Sequence, residues 1–260
     1  MGGPLTRSQR QEEIRKIFDV EPFVSLRELS LRFPDVSEMT LRRDVEALEA
    51  AGEVIRVRGG ARSVKFIPRT GVDSITKREG ENVDGKRRIA QRAASLLEAG
   101  RSIFLDSGST LRQLPAYVPE GRFSFTTTDP KLAVDLLMTG TSVVNMVGGR
   151  LERDNQTVTG LQATRFLNDV NVDIAFLTPA GVSLENGFTV GSFNECELKR
   201  IVAEKARRVV VLVDSSKIGK SLPYTFCGVE NVDVLITDAP LPPELERAAD
   251  AVGAAVVVCE

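Results

Sequence analysis

A chain of 260 residues with 34 basic and 36 acidic side chains, and a formal net charge of −2, has room for one large domain or for a small one beside a larger, and exerts no global pull on nucleic acid or anionic membrane. It contains no histidine, which excludes Ser–His and Cys–His nucleophiles, histidine-ligated zinc and imidazole acid–base chemistry together. Cys196, Cys227 and Cys259 show no CxxC spacing and read as buried thiols in a reducing compartment; with no apolar run of ~18 residues and no signal-peptide core at the start, a cytoplasmic protein with no membrane partner and no metal site is expected.

Thr6 or Ser8 is a candidate cap for a first helix in which Ile14, Ile17 and Phe18 share a face. Ser25 opens a second helix to Arg32, with Leu26, Leu29 and Leu31 expected inward, and Phe33-Pro34-Asp35 breaks it. Ser37 opens a third, running to Ala50, where Leu41, Val45 and Leu48 repeat at helical spacing and Gly52 suits the C′ position. Residues 54–58 alternate like a short strand before the turn Gly59-Gly60. Three helices followed by a β-ribbon describe a winged helix-turn-helix over residues 1–64. Pro68, Gly71, Gly80, Gly85 and a mixed-charge run from Lys77 to Asp84 make 65–85 a linker that carries some helix. Residues 86–260 then alternate. Strands are expected at 102–106, 123–127, 142–147, 173–178, 208–213, 233–237 and 255–259, and helices at 86–98 and near 109–117, 130–138, 160–168, 193–205 and 243–252. Short apolar runs between helices predict an α/β fold, a mostly parallel, doubly wound sheet covered on both faces.

In the third helix Thr40 and Arg43 lie three residues apart and share a face away from Leu41, Val45 and Leu48. Arginine suits both guanine edges and phosphates. Residues 54–65 carry Arg56, Arg58, Arg62 and Lys65 with no acid, as a wing lying along a DNA backbone or minor groove requires. Two readings stay open on this chemistry. The helix reads DNA, or the domain binds a protein and Arg42-Arg43, Asp44 and Glu46 form a solvated, ion-paired face.

Four loops follow predicted strands, the place where open parallel sheets bind ligands. Leu105–Thr110 (LDSGST) leads directly into a helix, so its N–H groups and hydroxyls suit a phosphate, while Asp106 would face sugar hydroxyls. Thr126–Asp129 is the second, with Asp129 either a pocket residue or a helix cap. Gly148-Gly149-Arg150 lets backbone approach a ligand, and Asp214–Gly219 offers the Lys217 ammonium. Each alone is ordinary turn chemistry; four on one edge of a sheet point to a site.

The string Val36–Val45 (VSEMTLRRDV), with Leu48-Glu49 and Arg58-Gly59-Gly60-Ala61, resembles the signature of the DeoR family, except that Arg58 stands where many members carry histidine. Lys86, Ile89-Ala90, the Leu105–Thr110 loop, Gly148-Gly149, Gly160, Asp173, Ala175-Phe176, Gly187, Lys199-Arg200, Asp214, Ser216-Lys217 and Thr237 extend the resemblance over nearly the whole second domain. It implies a repressor of sugar-metabolism genes that binds double-stranded operator DNA through Ser37, Thr40, Arg42 and Arg43, with Arg56 and Arg58 in the wing. Ser37 is equally explained as the helix cap. The second domain is implied to be similar in fold to ribose-5-phosphate isomerase and coenzyme A transferases, to form a homodimer or higher homo-oligomer, and to bind a phosphorylated sugar effector that relieves repression. The residues do not themselves fix that direction. Carried over by position, the effector pocket comprises Asp106, Ser107, Gly108, Ser109, Thr110, Thr127, Gly148, Gly149 and Lys217. Thr178-Pro179-Ala180-Gly181 replaces a glycine-rich turn and Thr128 stands where asparagine is common, so the family's usual effector set does not transfer directly. No cofactor and no catalytic residue is implied. The alternative is a sugar-phosphate isomerase-like enzyme with an accessory winged helix, using Asp106, Glu197, Lys199 and Lys217 as base and cations.

Overall fold

The computed structural model describes residues 6–21, 23–51, 53–57, 59–63, 74–140 and 142–259. Gly52, Arg58, Lys65, Pro68 and Gly71, all assigned roles from the sequence, lie outside them. The chain divides into two compact units, Met1–Arg69 and Thr70–Glu260.

The first unit contains α1 (Arg7–Val20), β1 (Phe23–Ser25), α2 (Leu26–Arg32), α3 (Glu38–Ala50), β2 (Val54–Val57) and β3 (Gly60–Ser63). Thr6 and Ser25 each form a capping box, with Gln9 and Glu28, and so satisfy N–H groups that the first helical turn leaves open. Ile14, Phe18, Val24, Leu29, Leu41, Val45, Leu48, Val54 and Ala61 close one core. Leu31 is not part of it. It is 74% exposed, because two residues along a helix turn about 200° from Leu29, which takes the inward position. The strand β1 was not foreseen; it pairs antiparallel with β3, giving the order β1-β3-β2.

The second unit begins with α4 (Ile75–Gly80) and α5 (Val83–Ala94), followed by β4 (Ser102–Leu105), a 3-10 helix (Leu111–Tyr117), β5 (Ser124–Thr127), α6 (Pro130–Leu137), β6 (Val143–Met146), β7 (Arg150–Leu151) and β8 (Val158–Thr159). Next come α7 (Leu161–Asp169), β9 (Ile174–Leu177), β10 (Gly181–Ser183), β11 (Gly187–Val190), α8 (Phe193–Lys205) and β12 (Arg208–Val213). A 3-10 turn (Ser215–Lys217), β13 (Tyr224–Cys227), a 3-10 turn (Val229–Asn231), β14 (Val234–Thr237), α9 (Pro243–Val252) and β15 (Ala255–Val258) complete it. All seven foreseen strands form one sheet in the order β15-β14-β12-β9-β4-β5-β6, every pair parallel.

Alternate residues of each strand enter two cores, as a doubly wound sheet requires. Ile103, Phe125, Ile174, Phe176, Val210 and Ile236 face α5 and α6; Phe104, Ala175, Leu177, Val211 and Leu235 face α7, α8 and α9. The helix expected near 109–117 is 3-10 rather than α and contains Pro115, whose ring is incompatible with an α-helical interior. The antiparallel sheet β10-β11-β13 and the ribbon β7-β8 add layers the sequence reading did not contain. Cys196 and Cys227 are buried and Cys259 half-buried, all as free thiols. Burial pushes the Cys227 thiol up to about 12. Among the described residues no helix is long and apolar enough to cross a membrane.

Candidate functional site

On α3 the cap and the candidate reading face begin together. Ser37 Oγ accepts from Thr40 N (3.3 Å) and shares a hydrogen bond with Thr40 Oγ1 (2.9 Å), so Ser37 caps the helix. Arg42 and Arg43 are exposed. Arg42 makes a loose ion pair with Glu38 (3.4 Å), too exposed to hold it in place; Arg43 has no partner among the described residues. Thr40 and Arg43 line a groove of about 460 Å³ with Arg7, Arg10 and Glu46. In the wing, Arg56 turns back onto α3, donating to Glu49 (2.5 Å) and Glu46 (2.6 Å). Both carboxylates therefore compete with any other anion for this side chain.

Asp44 corrects the picture of a solvated, ion-paired face. It is 1% exposed and accepts from Arg10 Nε (2.5 Å) and Gln11 Nε2 (3.0 Å). Successive helical residues are 100° apart, so Arg42 and Arg43 point out while Asp44 points in and pins α1 to α3.

In the second unit the loop after β4 is almost fully enclosed: Asp106, Ser107, Ser109 and Thr110 are 2–4% exposed. Asp106, expected to face sugar hydroxyls, is turned inward onto protein partners. It pairs with the Lys199 ammonium and accepts from Thr178 N (2.9 Å) and Thr178 Oγ1 (3.1 Å). Lys199 also binds Glu195 (3.2 Å) and the Thr178 carbonyl (2.9 Å). Burial opposes the Lys199 charge, but Asp106 and Glu195 outweigh it and hold its pKa above the usual value. Gly108 has φ +152°, and a Cβ there would lie 2.6 Å from Thr178 Oγ1; the loop closes over that threonine only with glycine. The hydroxyls of Ser107, Ser109 and Thr110 have no hydrogen-bond partner among the described residues.

Thr127 Oγ1 instead accepts from Asp129 N (3.1 Å), so its hydroxyl is engaged in the turn. Asp129 caps α6, accepting from Lys131 N (3.0 Å) and Leu132 N (3.1 Å), the cap alternative. It also holds Arg112 in a two-point pair (2.7 and 3.0 Å). Sequence reasoning missed Arg112. Its guanidinium is buried and reaches Glu79 (3.0 Å) and Gln156 Oε1 (3.2 Å) as well; the available signal was its place one turn after Gly108. Gly149 has φ +150°, and a Cβ there would meet the Thr159 carbonyl at 2.5 Å. The approach of β7 to β8 explains that glycine, whereas Gly148 is exposed with open space around it.

Lys217 is buried, with Nζ 4.0 Å from Asp214. Lys86, fully buried on α5, donates to the carbonyls of Arg78 and Glu81. Burial lowers both ammonium pKa values, with Asp214 opposing it in each case. The Asp106–Thr110 loop, Thr127, Gly148-Gly149 and Lys217 therefore all stand at the carboxyl ends of β4, β5, β6 and β12, and Thr178 ties the first of them to β9.

Residues 81–239 match the DeoR C terminal sensor domain and residues 10–66 the DeoR-like helix-turn-helix domain. The chain belongs to the DeoR family. It is 33% identical to the HTH-type transcriptional regulator GlpR of Haloferax volcanii over 85% of this chain and 86% of that protein. It is 29% identical to the HTH-type transcriptional regulator IolR of Bacillus subtilis over 85% and 87%, and 26% identical to the glycerol-3-phosphate regulon repressor of Escherichia coli over 92% and 93%. Among solved structures, ribose 5-phosphate isomerase A of Methanocaldococcus jannaschii aligns with a TM-score of 0.37 at 24% identity, over 53% of this chain and 55% of that one. This DeoR-family chain is thus a DNA-binding transcriptional regulator rather than an enzyme, since the relatives that span both of its units are regulators.

Proposed function

We propose that this regulator is a cytoplasmic repressor of sugar-metabolism genes whose operator affinity is set by a phosphorylated sugar. Residues 1–64 form the DNA-binding domain, 65–85 the linker and 86–260 the effector and oligomerisation domain. Arg43, exposed and without an ion-pair partner, is the principal base or phosphate contact, supported by Thr40, Arg42 and Ser37, with Arg56 and Arg58 in the wing. A homodimer or higher homo-oligomer presents two α3 helices at a fixed separation, which successive major-groove half-sites require. An effector that binds the DNA-competent and incompetent states unequally changes that affinity.

The observation that carries the effector reading is the row of three hydroxyls, Ser107, Ser109 and Thr110, on residues only 4% exposed and without a protein partner among the described residues. Their oxygens stay accessible at the mouth of the loop, and an anionic ligand with several acceptor oxygens would engage all three. Thr127 and Gly149, engaged in turns, act as framework of the pocket.

Fluorescence anisotropy on duplex DNA from upstream of the protein's own gene tests this at physiological salt, with and without a panel of sugar phosphates. Salt-dependent binding that one sugar phosphate weakens is expected. Arg43→Ala should lose about 1–3 kcal/mol of operator binding without losing stability. Weak binding that ignores sequence and Arg43 would overturn the operator reading, and tight binding indifferent to every sugar phosphate would overturn the pocket.

A further inference from the structure

The short helix α4 is tied by polar contacts to segments that flank the candidate pocket. Six residues of helix are too few to be stable alone, and α4 adds a Ser74 cap (3.5 Å) and one buried apolar side chain, Ile75. Further contacts come from α5, from the turn between β7 and β8 and from the segments after β4 and β5. Ile75 N donates to the Asp154 carbonyl (2.9 Å), and the Arg78 and Glu81 carbonyls accept from Lys86. Glu79 accepts from Arg112 (3.0 Å) and Lys131 (2.9 Å). Arg78 donates to Asn155 Oδ1 (3.0 Å).

Two of these contacts trace back to the hydroxyl loop. Arg112 N donates to the Gly108 carbonyl (3.0 Å), so the residue that grips Glu79 sits in the first turn after Ser107–Thr110. On the other side, Asn155 Nδ2 donates to Glu195 (2.8 Å), which pairs with Lys199, which pairs with Asp106. The two clamps thus begin on either side of the same loop and end on adjacent residues of α4, the first described element after β3 in chain order.

The Arg112 donors are nearly exhausted. Its Nε and Nη2 are on Asp129 and its Nη1 is on Glu79 and Gln156, leaving one of the five N–H groups of a guanidinium. An anion arriving at Ser107–Thr110 finds only that one N–H open. For more it competes with Glu79, the more exposed of the two carboxylates on Arg112.

From this geometry we infer that α4 is the ligand-responsive element of the sensor, with Glu79 occupying the Arg112 guanidinium in the empty state and giving it up to the anionic group of the effector. The inference rests on the effector reading above and names its regulation. Release of Glu79 frees one clamp, and α4, unable to persist without its contacts, loosens at the point where the chain leaves toward the DNA-binding unit.

The full-length protein and its Glu79→Gln variant test this by amide hydrogen exchange over residues 75–81 and by operator binding. Each is measured without ligand and with ribose 5-phosphate, glycerol 3-phosphate, fructose 1-phosphate and inorganic phosphate as probes. A probe that binds the wild type should speed exchange over 75–81. Ligand-free Glu79→Gln should already exchange fast, bind the same probe more tightly and show operator affinity shifted about fivefold or more, in the direction the probe produces in the wild type. Asn155→Ala cuts the other clamp without changing charge and should move both readouts the same way, which keeps the test decisive if one variant folds poorly. A probe that binds without altering exchange over 75–81, or ligand-free variants that match the wild type in exchange and operator affinity, would overturn the inference. If no probe binds the wild type, the effector reading fails separately, and the ligand-free comparison still decides whether α4 controls operator affinity.

Discussion

Asp44→Ala is the most severe single change expected in the DNA-binding unit. The carboxylate is 1% exposed, with Arg10 9% exposed beside it, and it receives the Arg10 and Gln11 donors at 2.5 and 3.0 Å. Removing one member of a buried ion pair costs about 3–5 kcal/mol, because the desolvation of the pair is no longer offset by their mutual attraction. A unit the size of Met1–Arg69 holds only about 3–10 kcal/mol in total. Alanine at 44 should therefore remove between a third and all of its stability, although Leu41, Val45 and Leu48 still pack. Asp44→Asn, which retains the shape and one acceptor, should fall between. Hydrogen exchange over residues 7–20 and 38–50 in the full-length protein reads the loss unit by unit, and operator affinity should fall with the folded population. Protection within about 0.5 kcal/mol of wild type in Asp44→Ala, the scatter of an ordinary surface substitution, would refute the claim that this aspartate pins α1 to α3.

Lys199→Met should cost the sensor unit about 3–5 kcal/mol by leaving Asp106 and Glu195 buried without their cation. Burial already pushes the Asp106 carboxyl up, and an acid with a raised folded pKa is destabilising above its unfolded value, so the variant should regain stability in denaturant titrations as pH falls through the raised folded pKa. At Glu79 burial alone would raise the pKa, but the hydrogen bonds from Lys131 and Arg112 outweigh it and hold the carboxyl below 4.5. That contribution is complete above 4.5 and lost as pH falls through the lower folded value, so corrected exchange over 75–81 should be flat from pH 8 to 5 and rise only in stronger acid. Gly149→Ala combines strained backbone with a Cβ 2.5 Å from the Thr159 carbonyl; a loss of at least about 2 kcal/mol and a melting temperature lower by about 4–8 °C are expected, whereas Gly148→Ala should be neutral by the same calorimetry.

The central sheet was legible because parallel strands buried on both faces leave unbroken apolar runs: Arg208–Val213 (RVVVLV) cannot be read otherwise. Boundaries shifted by a residue where a strand runs into its loop, as at Asp106 and Thr178. The sheet β10-β11-β13 left no such trace, since its strands are three or four residues long and mix Gly181, Ser183, Thr189 and Tyr224 with apolar positions. At the sites, contiguity decided what could be seen. Ser107, Ser109 and Thr110 announce themselves as neighbours. Asp44 and its partners lie more than 30 residues apart, and Arg112 meets Asp129, Glu79 and Gln156 from three other segments, so folding alone brings them together. A hydroxyl or a glycine serves a turn or a ligand equally well, so the turn roles of Thr127 and Gly149 are not legible from residue type.

The charged side chains that an isomerase reading needs are already committed to one another. A base must reach the proton it removes, yet Asp106 accepts from Lys199 and twice from Thr178, Glu197 pairs with Arg200 at the surface (2.7 Å), and Lys217 lies across the edge beside Asp214. What remains unengaged is the set of three hydroxyls. Hydrogen bonds to a charged acceptor contribute about 1.5–3 kcal/mol each, so losing even one of the three between two sensor states yields the 1–3 kcal/mol typical of allosteric coupling. A loop whose carboxylate is already committed to Lys199 and whose hydroxyls are open is poorly made for turnover, and suits the proposed role of holding an anion in one state better than in another.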